Sequence, residues 1–150
     1  MMLRLACSIL SPAGPTGRLS IFIYHRVLEH ADPLFPDEVD RARFDQSMRW
    51  ISEWFKVLPL AEAVARLARG ELPARAAAIT FDDGYADNYL HALPILQRHG
   101  LPATFFISTG FLDGGRMWND SIIEAVRNAR VDRIDCARLG LGDLAVETVA

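Results

Sequence analysis

The chain has 150 residues, of which 51% are hydrophobic and 23% are charged, and its formal net charge is −3. This composition predicts one folded domain with a sizeable core and disfavours intrinsic disorder. The small acidic excess gives no sign of a nucleic-acid-binding face, and no apolar run approaches the ~18 residues that a membrane span needs. Cys7 and Cys136 are too few for a disulfide framework, so we expect unpaired thiols, with one structural disulfide as the alternative.

The N-terminal segment is a poor match to a secretory signal peptide. It contains Arg4 and a short apolar stretch over residues 5–10, but neither a long apolar region nor a cleavage site of small residues. We expect residues 1–18 to form a poorly ordered leader and residues 19–150 to form the domain. The cellular location stays open, with the cytoplasm slightly favoured.

The first predicted elements alternate between strands and helices. Residues 19–24 are β-branched and aromatic and predict a strand, whereas the apolar spacing over residues 44–55 predicts an amphipathic helix. Residues 56–58 form a weak second strand. A short helix follows over residues 60–67, and Gly70 is placed to cap its end.

The same alternation continues through the middle of the chain. Residues 76–81 predict a third strand, and residues 89–99 predict a helix in which Pro94 causes a kink or a late start. Residues 103–107 are apolar throughout, so we expect a fourth strand that is covered on both sides. This order of strands and helices predicts an α/β fold with a parallel sheet.

The pattern weakens after Gly115. Asn119 or Asp120 is a candidate N-cap for a helix that reaches residues 125–129. Residues 143–150 are typical of the beginning of another helix.

Polar residues follow three of the predicted strands. His25 and Arg26 follow the first strand, Asp82 and Asp83 follow the third, and Ser108 follows the fourth. In parallel α/β proteins the carboxyl ends of the strands lie on one face, where function is concentrated. We therefore expect these residues to meet.

Asp82 and Asp83 are the sharpest candidates for chemistry. Two adjacent carboxylates repel each other, and a bound cation relieves that repulsion, leaving one carboxylate as a ligand and the other as a base. Gly84 allows the steep turn that brings both to one site. The alternative is an Asp-Gly turn with a solvated extra carboxylate.

Five other residues have weaker claims. His25 is a ligand, an acid, a substrate contact or a structural residue, and its shared face with the two aspartates favours function. Tyr85 lies at the site, and Trp118, expected in a loop, is either a substrate contact or an aromatic plug. His91 and His99 are expected to face solvent or cap a helix.

Several short motifs together resemble the polysaccharide deacetylases, the carbohydrate esterases of family four. Residues 79–85 (Ile-Thr-Phe-Asp-Asp-Gly-Tyr), followed by Asp87-Asn88-Tyr89, resemble the first motif of that family. Three further segments agree in order and spacing: residues 24–27, 94–96 and 101–106. The resemblance covers about residues 21–120.

The resemblance implies a distorted (β/α) barrel, of which this chain contains roughly the first four βα units, and a divalent metal, usually zinc. It implies removal of acetyl groups from N-acetylated sugars in a polysaccharide. Carried over by position, Asp82 is the general base and Asp83 a metal ligand. His25, Tyr85 and Trp118 are the candidates for substrate binding.

The chain also departs from the family pattern. The second family motif supplies two metal-binding histidines four residues apart, but no histidine follows His99, and no later motif appears before Ala150. We therefore expect a partial barrel with little or no catalysis. The alternatives are a non-catalytic remnant that binds carbohydrate or a partner chain and self-associates through an open barrel edge, and a magnesium-dependent Asp hydrolase or phosphotransferase.

Overall fold

The computed structural model describes residues 8–145, which divide into two compact units, one ending at Ser108 and the other beginning at Thr109. The elements of the first unit are a 3-10 turn (Gly14–Thr16), β1 (Ser20–Tyr24), α1 (Arg41–Trp54), β2 (Lys56–Val57), α2 (Leu60–Ala68), β3 (Ala76–Phe81), a π-helix (Asn88–Ala92), α3 (Leu93–His99) and β4 (Thr104–Phe105). Those of the second are a 3-10 turn (Thr109–Phe111), α4 (Trp118–Arg127), β5 (Arg133–Cys136), a 3-10 turn (Ala137–Leu139) and β6 (Gly142–Ala145).

The four strands of the first unit form a parallel sheet built on β3. Strand β1 pairs with β3 along its whole length, from Ser20 opposite Ala77 to Tyr24 opposite Phe81. Strand β2 pairs with the beginning of β3, and β4 pairs with its end. All six residues of β3 are buried. The predicted α/β fold with a parallel sheet is confirmed.

The core lies between α1 and one face of this sheet. Helix α1 buries Phe44, Met48 and Ile51, whose spacing places them on one stripe of the helix. Phe81 stacks on Tyr24 and on Phe105, at centroid distances of 5.4 and 4.9 Å. This aromatic row joins three neighbouring strands, and its apolar area holds α1 against the sheet.

Strand β4 is less covered than the sequence predicts, and β1 is also partly exposed. The fourth strand expected over residues 103–107 is present, but it pairs with β3 only at Thr104–Phe105. The expected cover on both sides is wrong, because Phe106 and Ile107 are 51% and 54% exposed. The backbone leaves the strand direction there to reach the turn that follows β3. In β1 the burial alternates, and Ile21 and Ile23 are exposed.

Part of the proposed leader makes defined contacts with the loop before β3. The Gly14 amide donates to the Leu72 carbonyl, and the Arg75 amide donates to the carbonyl of Ser11, which is itself buried. The Ser11 hydroxyl donates to the Arg18 carbonyl. The division after residue 18 stays a prediction, and Cys7 lies outside the described residues.

Glycine and proline set the limits of the helices as expected. Gly70 has a φ of +67° just after α2, and Gly100 has a φ of +64° just after α3. Pro94 lies in the first turn of α3, directly after the π-helix, so the predicted late start is confirmed. Among residues 8–145, no helix is both long enough and apolar enough to cross a membrane.

Helices α1 and α3 are also linked by an ionic cluster. The Asp45 carboxylate accepts from Arg98 at 2.8 Å and lies 2.7 Å from Nε2 of His99. Hydrogen bonding to Arg98, and then to His99, lowers the pKa of Asp45. His99 is therefore a tertiary contact, and the expectation that it only faces solvent or caps α3 is wrong.

The second unit differs from its predicted form. Helix α4 exists, but its N-cap position is Met117 rather than Asn119 or Asp120. The helix expected from Asp143 is wrong as far as Ala145, because β6 pairs antiparallel with β5. Positive φ values at Gly140 and Gly142 make the reversal between them possible. Residues 146–150 lie outside the described residues.

Candidate active site

The carboxyl end of β3 is joined to its neighbours by three backbone hydrogen bonds. The Asp82 amide donates to the Tyr24 carbonyl at 2.9 Å, and the Phe106 amide donates to the Phe81 carbonyl at 2.8 Å. The Ser108 amide donates to the Asp83 carbonyl at 3.3 Å. The strand ends therefore meet on one face, as the strand order predicts.

The turn after β3 is sharp and carries backbone strain. Asp83 has a φ of +71° and Gly84 a φ of +73°. Left-handed backbone costs a non-glycine residue roughly 1–2 kcal/mol, although Asp tolerates it better than most. The predicted turn at Gly84 is confirmed, but the strain at the preceding Asp83 is not evident from the sequence. Such strain persists at a site where the surrounding structure holds it.

His25 and Asp82 face each other across the end of the sheet. Nε2 of His25 lies 3.9 Å from Oδ2 of Asp82, which is too long for a hydrogen bond but close enough for electrostatic interaction. Their side chains are 54% and 40% exposed, respectively. Both groups are therefore open to a ligand that arrives from solvent.

The second carboxylate has a different neighbour. The Ser108 hydroxyl donates to Oδ1 of Asp83 over a long distance of 3.4 Å. The side chains of Asp82 and Asp83 are thus approached from opposite sides, by His25 of the β1 end and by Ser108 of the β4 end. This separation allows the two carboxylates to take different roles.

Behind these residues, the segment after the turn binds the end of β1. The Asp87 carboxylate accepts from Nε of Arg26 at 2.9 Å and from the Val27 amide at 3.2 Å. The Arg26 guanidinium lies over the ring of Tyr85, 4.5 Å from its centroid. The substrate-binding role of Tyr85 stays a prediction.

Two residues of this segment are absent from the candidates drawn from the sequence. Asn88 donates from Nδ2 to the His25 carbonyl at 3.1 Å, and Nδ1 of His91 lies 2.8 Å from the Val27 carbonyl. The expectation that His91 faces solvent or caps a helix is therefore wrong. The one signal in the sequence is the Asp87-Asn88 pair directly after the turn. It does not reveal the contacts of these residues, because their partners lie about sixty residues away.

Trp118 belongs to the second unit. It is the first residue of α4, so the expected loop placement is wrong, and it is 77% exposed. Its role in substrate binding stays a prediction.

The described residues do not by themselves make a catalytic zinc site. Such a site takes three protein ligands and keeps one position open. Within residues 8–145, no group of three or more His, Cys, Asp or Glu side chains is placed to hold a metal ion. Asp83 would therefore need further ligands.

The turn itself generates a stability prediction. A Cβ at Gly84 would lie 3.0 Å from Cγ2 of Ile107, and the φ there is positive. We expect Gly84→Ala to lower the free energy of unfolding by roughly 2–3 kcal/mol, because backbone strain adds to steric overlap. Urea unfolding followed by circular dichroism measures this loss.

The matched control is Gly100→Ala. Gly100 also has a positive φ, but a Cβ there would meet nothing within 4 Å. Gly100→Ala should therefore lower the free energy of unfolding by only the cost of the backbone conformation, about 1 kcal/mol. Equal losses for the two variants would contradict the close packing of Ile107 against the turn.

The sequence is similar to those of known polysaccharide deacetylases. Residues 69–132 match the family profile described as polysaccharide deacetylase. YxkH of Bacillus subtilis (strain 168), whose name places it among the polysaccharide deacetylases, is 33% identical over 93 residues. This match covers 61% of the present chain and 32% of YxkH. The poly-β-1,6-N-acetyl-D-glucosamine N-deacetylase of Staphylococcus aureus (strain MSSA476) is 37% identical over 73 residues, or 48% of this chain and 25% of that protein.

Two solved structures share the fold. IcaB from Ammonifex degensii has a TM-score of 0.56 at 29% identity, over 72% of this chain and 43% of that one. The Streptococcus pyogenes deacetylase PplD, solved in complex with acetate, has a TM-score of 0.57 at 26% identity, over 73% of this chain and 52% of that one.

The chain thus spans about a quarter to a third of the two curated relatives' length. The matching segment includes the whole of β3 and the Asp82–Gly84 turn. The resemblance drawn from those residues is confirmed: residues 69–132 match the polysaccharide deacetylase family profile.

Proposed function

We propose that the end of the sheet around His25, Asp82 and Asp83 is the catalytic part of a metal-dependent polysaccharide deacetylase. The observation that carries the proposal is the pair of carboxylates held at the end of a buried strand, with one of them facing His25. The family match, which includes Asp82 and Asp83, supports it. The reaction is hydrolysis of the amide bond in an N-acetylated sugar, which releases acetate and leaves a free amine.

In this proposal Asp82 is the general base. A water molecule attacks the acetyl carbonyl carbon while the Asp82 carboxylate accepts a proton from that water. The bond between carbon and nitrogen then breaks, acetate leaves, and the nitrogen takes up a proton to become the sugar amine. The exposure of Asp82 supports this role, since both water and a polymer chain can reach it.

Asp83 is proposed to supply one ligand to a divalent metal, which the family resemblance implies is zinc. When bound, such an ion supplies Lewis-acid stabilisation of developing charge on oxygen. Its other ligands are not grouped among residues 8–145. We therefore propose that the catalytic site is incomplete in the described part of the chain, and that His25 and Tyr85 contribute sugar contacts. Trp118, which belongs to the second unit, is proposed separately as a sugar contact.

A second candidate is a non-catalytic relative that binds carbohydrate or a partner chain. The lack of a three-ligand group among the described residues favours it. The two candidates differ in what Asp82 is needed for, because a binding protein has no use for a general base.

A hybrid enzyme separates them. In the hybrid, residues 19–108 replace the corresponding part of the Staphylococcus aureus deacetylase, which supplies the rest of that protein. We expect the hybrid to release acetate from an N-acetylglucosamine oligomer, and Asp82→Asn to lower kcat by about 10²–10⁴-fold, because it removes the base. Acetate release is measured by an enzyme-coupled assay.

Glu71→Gln in the hybrid is the matched control. Glu71 is exposed and pairs with Arg69 ahead of β3, at the opposite end of the strand from Asp82. We expect it to leave kcat unchanged. A folded hybrid in which Asp82→Asn is as active as the parent would contradict the proposed role, and one that binds the oligomer without releasing acetate would favour the binding protein.

We further propose that the isolated chain self-associates through β1. Within residues 8–145, β1 pairs with β3 alone, and its exposed positions are Ile21 and Ile23, which are 46% and 60% accessible. An edge strand with apolar side chains favours pairing with a second chain.

Sedimentation velocity at about 50 µM protein tests this proposal, a concentration at which weak association with micromolar Kd is visible. We expect a dimer or larger species for the parent and a monomer for Ile23→Lys, since an edge lysine opposes strand pairing. Val64→Lys, at a comparably exposed apolar position on α2, should still associate. A monomeric parent would contradict the proposal.

A further inference from the structure

We propose that Asp87, Asn88 and His91 form a clamp whose function is to position His25 at the candidate active site. The consequence for catalysis rests on the proposed function, but the positioning itself does not. Asp87, Asn88 and His91 are therefore positioning residues, since they act through the end of β1 and not on substrate.

The clamp binds three consecutive residues from one side. Asn88 donates to the His25 carbonyl, and Asp87 accepts from Nε of Arg26. Asp87 also accepts from the Val27 amide, and Nδ1 of His91 lies 2.8 Å from the Val27 carbonyl. Each residue from His25 to Val27 thus has a partner on the clamp, although the two segments are about sixty positions apart in sequence.

The clamp contacts are buried, whereas the His25 side chain is exposed. Asp87 and Asn88 are 8% and 3% exposed, whereas the His25 side chain is 54% exposed. A buried polar group that loses its partner is left both unsolvated and unbonded, so the clamp resists opening. The exposed His25 therefore has a backbone that is fixed from the buried side.

Asn88 has the most specific role. Its Nδ2 donates to the His25 carbonyl, while its Oδ1 is buried and has no hydrogen-bond partner among the described residues. Because only the Nδ2 group of this side chain has a hydrogen-bond partner in the described part of the chain, donation to the His25 carbonyl is the role that the side chain fulfils. An aspartate at this position has the same shape but places a carboxylate oxygen, an acceptor, against the His25 carbonyl. The two oxygens should repel each other, whereas the Nδ2 group of asparagine donates a hydrogen bond.

The clamp also explains where Arg26 lies. Its guanidinium is held at two places, by the Asp87 carboxylate and over the face of Tyr85. The clamp begins three residues after Gly84, and its last residues lie in the π-helix, a feature often found at functional sites. One short stretch of chain thus contains both the Asp82–Gly84 turn and the residues that hold His25 beside it.

The isosteric variant Asn88→Asp tests the clamp in the isolated 150-residue chain. Nuclear magnetic resonance gives two readouts, the hydrogen-exchange rate of the Val27 amide and the ring signals of His25. We expect at least tenfold faster exchange at Val27 relative to the β3 amides, together with shifted His25 ring signals. If the clamp only stabilised the fold, its loss would not shift the His25 ring signals while the β3 amides stayed protected from hydrogen exchange.

Asn128→Asp is the matched control. Asn128 also donates from Nδ2 to a backbone carbonyl, that of Glu124, but on the exposed end of α4. It should change neither readout. Unchanged Val27 exchange in Asn88→Asp, or a uniform rise that includes β3, would overturn the proposal.

If Asn88→Asp does not fold, His91→Ala decides the question. It removes only the contact with the Val27 carbonyl, and it should still accelerate exchange around Val27 and shift the His25 ring. No local change in that variant would overturn the proposal. Neither readout needs acetate release, so failure of the clamp and failure of the proposed deacetylase activity are distinguishable.

Discussion

The structure depends on β3, a strand that is buried along its whole length and is followed at once by two carboxylates. Carboxylates do not stay in an apolar interior without compensation, so the chain must turn to the surface after Phe81. Backbone hydrogen bonds from Asp82 and to Asp83 hold this turn between the ends of β1 and β4. The burial of the strand thus determines where the charged residues emerge and how firmly they are held.

Much of this arrangement follows from local physical chemistry. The bounds of β3 are predicted because a run that is apolar except for Thr80 ends in Asp-Asp-Gly. Gly70 and Gly100 end helices because they accept a positive φ. The stripe of apolar residues on α1 predicts which face is buried. The site could be located from these elements, since parallel strands place their ends on one edge.

The remaining features arise from contacts that are distant in sequence. The Asp87-Asn88 pair after the turn does not by itself identify positioning residues, because their partners are in the segment that follows β1. The contact of His91 could not be predicted for the same reason, because its partner is the Val27 carbonyl. The early end of β4 was not predictable from its apolar run, because the backbone leaves the sheet to bind the Asp82–Gly84 turn. The strain at Asp83 likewise follows from three chain segments meeting at one point.

Under the proposed function, residues 8–145 supply part, but not all, of a metal-dependent catalytic site, with Asp83 as one ligand. Titration of the isolated 150-residue chain with zinc, followed calorimetrically, tests it most directly. Because a catalytic zinc site needs three protein ligands, we expect only weak binding, with a Kd above about 10 µM. Stoichiometric binding with a nanomolar Kd that is lost in Asp83→Asn would contradict the account, since it would mean that the chain completes the site alone.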